Sequence, residues 1–202
     1  MLTFYTNPMS RGRIARVMLE EIGEPYETVV LDYGTTMKAP GYMAVNPMGK
    51  VPAIVHDGTI VTECAAICTY LAMAFPEKGL MAKDLAAYFR WMFFAAGPLE
   101  QAVVNSSFGW KPATPQEAGR TGYGSLDDVV RTLAGHLAAH DYIADDRFTA
   151  ADVYVGSQIG WGLQFGTLPA HAAFTAYWNR IKDRPARAAA EAKDNALMEK
   201  KP

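Results

Sequence analysis

The stretch Asn46–Cys64, NPMGKVPAIVHDGTIVTEC, decides how the rest of the chain is read. Ala53–Val55 and Thr59–Val61 are short apolar, β-branched runs on either side of Asp57-Gly58, a dipeptide suited to closing a two-residue hairpin. Pro52 stands at the mouth of the first run; proline lacks an N–H and is tolerated at a strand start or edge. A helix is predicted over Glu63–Phe75, ending before Pro76. So a hydrogen-bond breaker opens the hairpin and a charged residue opens the helix that follows it.

Upstream, Leu2–Tyr5 reads as a strand ending at Thr6-Asn7-Pro8. Arg11–Ile22 places Ile14, Val17, Met18 and Ile22 on one helix face, with Ser10 as N-cap and Gly23 as the stop. Tyr26–Leu31 alternates as a second strand, so a βαβ unit with a parallel pair is expected. Asp32–Val45 reads as loop. The order β-α-β-loop-β-β-α predicts a small α/β domain with a mixed four-stranded sheet over residues 1–78.

Beyond Gly79 the pattern turns helical, predicting an all-α domain over residues 84–202. Lys83–Val104 carries Tyr88, Phe89, Trp91, Phe93 and Phe94; Phe108–Gly124 reads as loop. Leu126–Ala139, Ala150–Leu163 and Ala170–Lys182 are further helices. Thr149-Ala-Ala-Asp152 is a capping box with Asp in the usual Glu position. Asp183–Pro185 ends the last of these helices, and the rest reads as a polar, Ala-rich tail.

The 202 residues are 50% hydrophobic with a formal net charge of −2, as in an ordinary globular chain. Residues 1–80 carry 6 Lys/Arg and 8 Asp/Glu, the remainder 13 of each, which argues against a nucleic-acid partner. No stretch has the roughly 18 uninterrupted apolar residues of a membrane span, and the N-terminus lacks a secretion signal's apolar core. Cys64 and Cys68, four apart on one helix, read as reduced thiols in a cytoplasmic setting. There is no P-loop, GxGxxG or HExxH. His136 and His140 share a helix face and read as polar surface, so no metal is expected.

Asn46-Pro47-Met48-Gly49-Lys50-Val51-Pro52-Ala53-Ile54, then Asp57-Gly58, then Thr62-Glu63-Cys64 resembles the signature of the glutathione transferase superfamily. YTNPMSRGRIARVMLEEIG and FTAADV are similar to its first strand and helix and to its α-domain capping box. The resemblance covers nearly the whole chain, in order. It implies a thioredoxin-like N-terminal domain, a helical C-terminal domain, glutathione as co-substrate and a homodimer. It also implies a cis Val51–Pro52 bond that leaves the Val51 backbone to pair with the cysteinyl part of glutathione.

Glutathione must also find partners for its charged ends and its sulfur. Glu63 and Cys64 stand at a helix start, where free N–H groups and the dipole favour an anion. The resemblance implies that the γ-glutamyl carboxylate sits there and that Glu63 takes the ammonium. Glu63 otherwise serves only its own helix terminus. Cys64 stands where the family usually has Ser; its backbone N–H serves regardless of side chain. Lys50 and Lys38 are candidates for the glycyl carboxylate.

For the thiolate, Ser10 is the first candidate, although the same oxygen is wanted as an N-cap. Asn7 is the second, and Thr6 and Arg11 lie nearby. Tyr88, Trp91, Phe94 and Trp110 are candidates to line an apolar substrate pocket between the domains, with Trp161 and Phe165 as outside candidates. The expected activity is conjugation of glutathione to small apolar electrophiles. Glutathione-dependent peroxide or disulfide reduction, and a non-catalytic glutathione-binding regulator, are the alternatives.

Overall fold

In a computed structural model, residues 1–199 are described. In chain order the elements are β1 (Leu2–Thr6), α1 (Gly12–Ile22), β2 (Glu27–Val30), a 3-10 turn (Thr36–Lys38), α2 (Pro40–Met43), β3 (Ala53–His56), β4 (Thr59–Thr62), α3 (Cys64–Ala74) and a second 3-10 turn (Pro76–Lys78). There follow α4 (Leu85–Phe94), a π-helical segment (Ala95–Leu99), α5 (Glu100–Ser107), α6 (Pro115–Ala118), α7 (Leu126–Ala139), α8 (Ala150–Phe165), α9 (Ala172–Ile181) and α10 (Pro185–Glu199). The chain forms two units: Met1–Met81 together with the chain from Asp183 onward, and Ala82–Lys182.

The first unit holds one mixed sheet in the order β2-β1-β3-β4. β1 pairs parallel with β2 and antiparallel with β3, and β3 returns through the hairpin to β4. Asp57 and Gly58 both have positive φ, 48° and 83°, as a two-residue hairpin with right-handed strand twist requires. Leu2 and Phe4 of β1 are buried, as are Ile14, Met18 and Ile22 of α1 and Ile67 and Leu71 of α3. A second small core joins Leu31, Met37, Tyr42 and Ala53, with Tyr5, Val29, Val45 and Val51 packed against it.

The sequence reading missed α10. Its register buries Arg187, Ala190 and Asp194. Arg16 Nε donates to Asp194 Oδ1 at 2.7 Å, with both side chains at most 2% exposed. Arg184 grips Glu21 with two bonds of 2.6 and 2.8 Å, and Arg13 Nη2 donates to Asn195 Oδ1. These partners lie on α1, so the last helix belongs to the sheet-bearing unit. A helical domain running from residue 84 to 202 is corrected accordingly.

In the second unit, α8 is buried on nearly every side. A Cβ at Gly160 would fall 2.5 Å from the Trp178 ring, so glycine lets α9 lie close. The predicted capping box is present: Thr149 Oγ1 accepts from Ala151 N–H, and Asp152 Oδ2 accepts from Thr149 N–H at 2.9 Å. Asp152 also accepts from Ile143 N–H and Tyr177 O–H, both at 2.9 Å. Burial pushes its carboxyl up to about 6, against the pull of these donors. The single helix predicted over Lys83–Val104 contains Pro98, which has no N–H for the ladder, and the turn around it is π-helical.

Candidate active site

Sheet register brings the signature residues together. Ala53 pairs with Tyr5 on one side and Thr62 on the other. One step further along, Pro52 is level with Thr6 and Glu63. The exit of β1, the entry of β3 and the start of α3 therefore share one end of the sheet. Cys64 Sγ donates to the Arg11 carbonyl at 3.7 Å, which ties the start of α3 to the start of α1.

The Val51–Pro52 bond is cis, as the resemblance implied. The loop before it is held from below. Tyr42 O–H and Asn46 Nδ2 both donate to the Lys50 carbonyl, at 2.5 and 2.9 Å. Burial pushes the Tyr42 phenol up to about 12, which keeps it a donor. Lys38 Nζ donates to the Met48 and Gly49 carbonyls, at 3.1 and 2.8 Å. Lys38 thus secures the loop through two of its three N–H groups, while the Lys50 side chain is exposed. Val51 packs its side chain inward. Among the described residues, its N–H and C=O have no hydrogen-bond partner.

Glu63 occupies the N-cap of α3 with φ 67° and ψ 118°, and its side chain makes no capping bond. It is exposed. A non-glycine residue held at such angles carries about 1–3 kcal/mol of backbone strain. The alternative in which Glu63 caps its own helix therefore has no hydrogen bond behind it. The first turn of α3 contains no acidic residue. Its first intrahelical bond runs from Ile67 N–H to the Glu63 carbonyl, so the N–H groups of residues 64–66 precede the ladder and present the positive end of the helix. Cys64 is 8% exposed, and its thiol faces the Arg11 carbonyl. Cys68 is fully buried; its bond to Cys64, then burial, pushes its thiol well up. Both thiols are free.

At the start of α1, Ser10 Oγ donates to the Asn7 carbonyl at 2.6 Å and accepts from Gly12 N–H at 2.9 Å. The helix begins at Gly12, one residue later than predicted, and Arg11 at the N-cap makes no side-chain cap. A Cβ at Gly12 would fall 2.0 Å from Thr6 Oγ1, so only glycine lets α1 start this close to β1. Asn7, the second thiolate candidate, is 1% exposed. Its Nδ2 donates to the Leu31 carbonyl at 2.7 Å and its Oδ1 accepts from Met9 N–H at 2.9 Å. That amide faces the protein, not a ligand, which corrects the donor role expected for it.

Two of the four aromatic substrate candidates are core residues. Tyr88 and Trp91 are 0% and 2% exposed, because spacing of three puts them on the inward face of α4 with Met92. Trp91 lies edge-on to Phe94 and against the His136 ring. Neither offers surface to a substrate as placed. Phe94 is half-buried and Trp110 is exposed. His136 and His140 stack with ring centroids 4.3 Å apart. No group of three or more metal-ligating side chains occurs among the described residues.

Comparison with known proteins agrees with this arrangement. Residues 9–74 match the family model described as the glutathione S-transferase N-terminal domain. The chain is 31% identical to glutathione S-transferase 3 of Zea mays over 206 residues, covering 92% of this chain and 90% of that one. It is 29% identical to glutathione S-transferase GstA of Escherichia coli O157:H7 over 193 residues, covering 92% and 94%. The solved structure of a sphingomonad glutathione S-transferase complexed with glutathione matches with a TM-score of 0.77 and 27% identity, over 96% of this chain and 98% of that one. A backbone segment without hydrogen-bond partners, a helix start without a side-chain cap and a hydroxyl at one sheet end, in a chain with these relatives, lead to one assignment: the chain belongs to the glutathione S-transferase family.

Proposed function

We propose that this chain binds glutathione across the Thr6–Pro52–Glu63 end of the sheet and transfers its sulfur to small apolar electrophiles. Val51 pairs its free backbone groups with the cysteinyl unit. The N–H groups at the start of α3, that of Cys64 among them, receive the γ-glutamyl carboxylate, and Glu63 takes the ammonium. Lys50 faces the glycyl carboxylate, with the remaining N–H of Lys38 beside it. Ser10 donates its hydroxyl hydrogen to the thiolate, and the dipole of α1 adds to the stabilisation. The observation that carries this reading is Glu63: a strained, exposed acid with no capping bond, standing beside an anion-attracting helix start.

Phe94 and Trp110 remain the aromatic candidates for the electrophile. Exposed Phe89 and Phe93 on α4 support pairing of two copies. Among the described residues no helix is long and apolar enough to cross a membrane. Two free thiols suit a reducing, cytoplasmic setting.

Calorimetry with glutathione, followed by turnover assays with an aryl halide and with an organic peroxide, tests the proposal. Binding with aryl halide conjugation is the expected result. Peroxide turnover alone moves the reading to a reductase, and absence of binding overturns it.

A further inference from the structure

We propose that Asn7 is the positioning residue of the thiolate site, acting through Ser10; this rests on the reading of Ser10 as the hydroxyl that meets the glutathione sulfur. A serine hydroxyl has one hydrogen and two acceptor lone pairs. At rest the Ser10 hydrogen lies on the Asn7 carbonyl at 2.6 Å, and one lone pair receives Gly12 N–H at 2.9 Å. When glutathione binds, its S–H bond breaks, the proton leaves to solvent, and the Ser10 hydrogen turns from the carbonyl to the sulfur. No covalent bond forms at Ser10. The oxygen does not travel, because Gly12 N–H keeps hold of it. The Asn7 carbonyl is not stranded either, because Ser10 N–H still donates to it at 3.0 Å. The hydroxyl therefore switches partner by rotating one hydrogen.

The switch works only if the resting acceptor is fixed, and the Asn7 side chain fixes it. Its amide spans two elements, donating to the Leu31 carbonyl beyond β2 and accepting from Met9 N–H in the loop towards α1. Beside it, Leu31 N–H donates to the Thr6 carbonyl at 2.8 Å, which continues the β1–β2 ladder to the base of this loop. An asparagine with a purely local duty needs only the two side-chain bonds. Here the main-chain carbonyl of the same residue points at Ser10.

The test is titration of the ultraviolet thiolate band of bound glutathione in the wild type, Asn7→Ala, Asn7→Ser, Ser10→Ala and the double variant Asn7→Ala/Ser10→Ala. For Asn7→Ala the expected midpoint is about one pH unit higher, equivalent to a roughly tenfold weaker preference for the thiolate. At pH 6.5 its kcat falls about five- to tenfold, while glutathione Kd stays within about threefold. Asn7→Ser, whose hydroxyl can still accept from Met9 N–H, recovers part of the shift. The double variant is no worse than Ser10→Ala, because both changes disable one device. A wild-type midpoint in Asn7→Ala, or shifts that add in the double variant, overturns the proposal. If Asn7→Ala does not fold, Asn7→Ser with and without Ser10→Ala is judged by the same two criteria. A wild type with no thiolate band overturns the proposed function and this inference with it. A normal band that persists in Ser10→Ala overturns only the role of Ser10 and the device built on it.

Discussion

Replacing Glu63 separates what the residue contributes to binding from what it takes from stability. At φ 67° and ψ 118° its Cβ is crowded by its own backbone. Such a conformation costs about 1–3 kcal/mol for a non-glycine residue. Glycine removes that strain but loses about 0.5–1 kcal/mol through the greater freedom of the unfolded chain. The relief outweighs the entropy, so Glu63→Gly should gain about 0.5–2 kcal/mol, a rise of a few degrees in Tm for a chain of this size. Glu63→Ala keeps the Cβ and the strain, and makes no capping bond to lose, so its stability should stay within about 0.5 kcal/mol of wild type. Both variants lose the partner of the ligand's ammonium. A hydrogen bond to a charged group contributes about 1.5–3 kcal/mol, and the exposure of Glu63 favours the low end. Glutathione Kd should therefore rise about tenfold or somewhat more in each. Urea unfolding beside calorimetric titration measures both effects. A glycine variant less stable than wild type refutes the strain argument, and unchanged affinity in both variants refutes the binding role.

Three further perturbations probe the scaffold. Asp152→Ala should cost about 3–5 kcal/mol in urea unfolding, because it strands the N–H groups of Ile143 and Thr149 in a dry interior. The raised Asp152 pKa adds a pH signature: its contribution is fully present below about pH 4 and is lost as pH rises through about 6, so wild type should lose up to about 3 kcal/mol relative to Asp152→Asn across that window. A pH-independent difference would show that the donors from Ile143, Thr149 and Tyr177 hold the carboxylate ionised throughout. Asp194→Ala leaves the buried Arg16 guanidinium without its carboxylate and should cost about 3–5 kcal/mol, while Arg16→Met with Asp194→Leu should recover most of that; equal stability of Asp194→Ala and wild type would mean that α10 contributes little. Gly12→Ala should cost about 1–3 kcal/mol from the clash with Thr6 Oγ1, and adding Thr6→Ala should relieve part of it; no loss in the single variant would mean that the helix start shifts freely.

What could be read from the sequence, and what could not, divides along the range of the interactions. Asp57-Gly58 and Thr149–Asp152 declare themselves because turns and caps are written in adjacent residues. The signature around Pro52 declares the proposed binding end of the sheet for the same reason: β3, the hairpin and the start of α3 are consecutive, and register does the rest. α10 stayed hidden because its identity lies in partners some 170 residues away; Asp194 and Lys193 look like a solvated tail until Arg16 and Glu20 are placed beside them. Tyr88 and Trp91 were misassigned because helical spacing marks a face without saying whether it looks at solvent or at another helix. At the start of α1, the sequence offered Ser10 as the first donor candidate and Asn7 as the second, both able to donate to a sulfur. Only the direction of their hydrogen bonds separates them. Ser10 carries a hydrogen that can turn, whereas the Asn7 amide is turned inward and bonded at both ends. On the proposed reading, a competition between two side chains for one sulfur becomes a division of labour between a donor and the residue that holds it, a relation that residue identity alone does not encode.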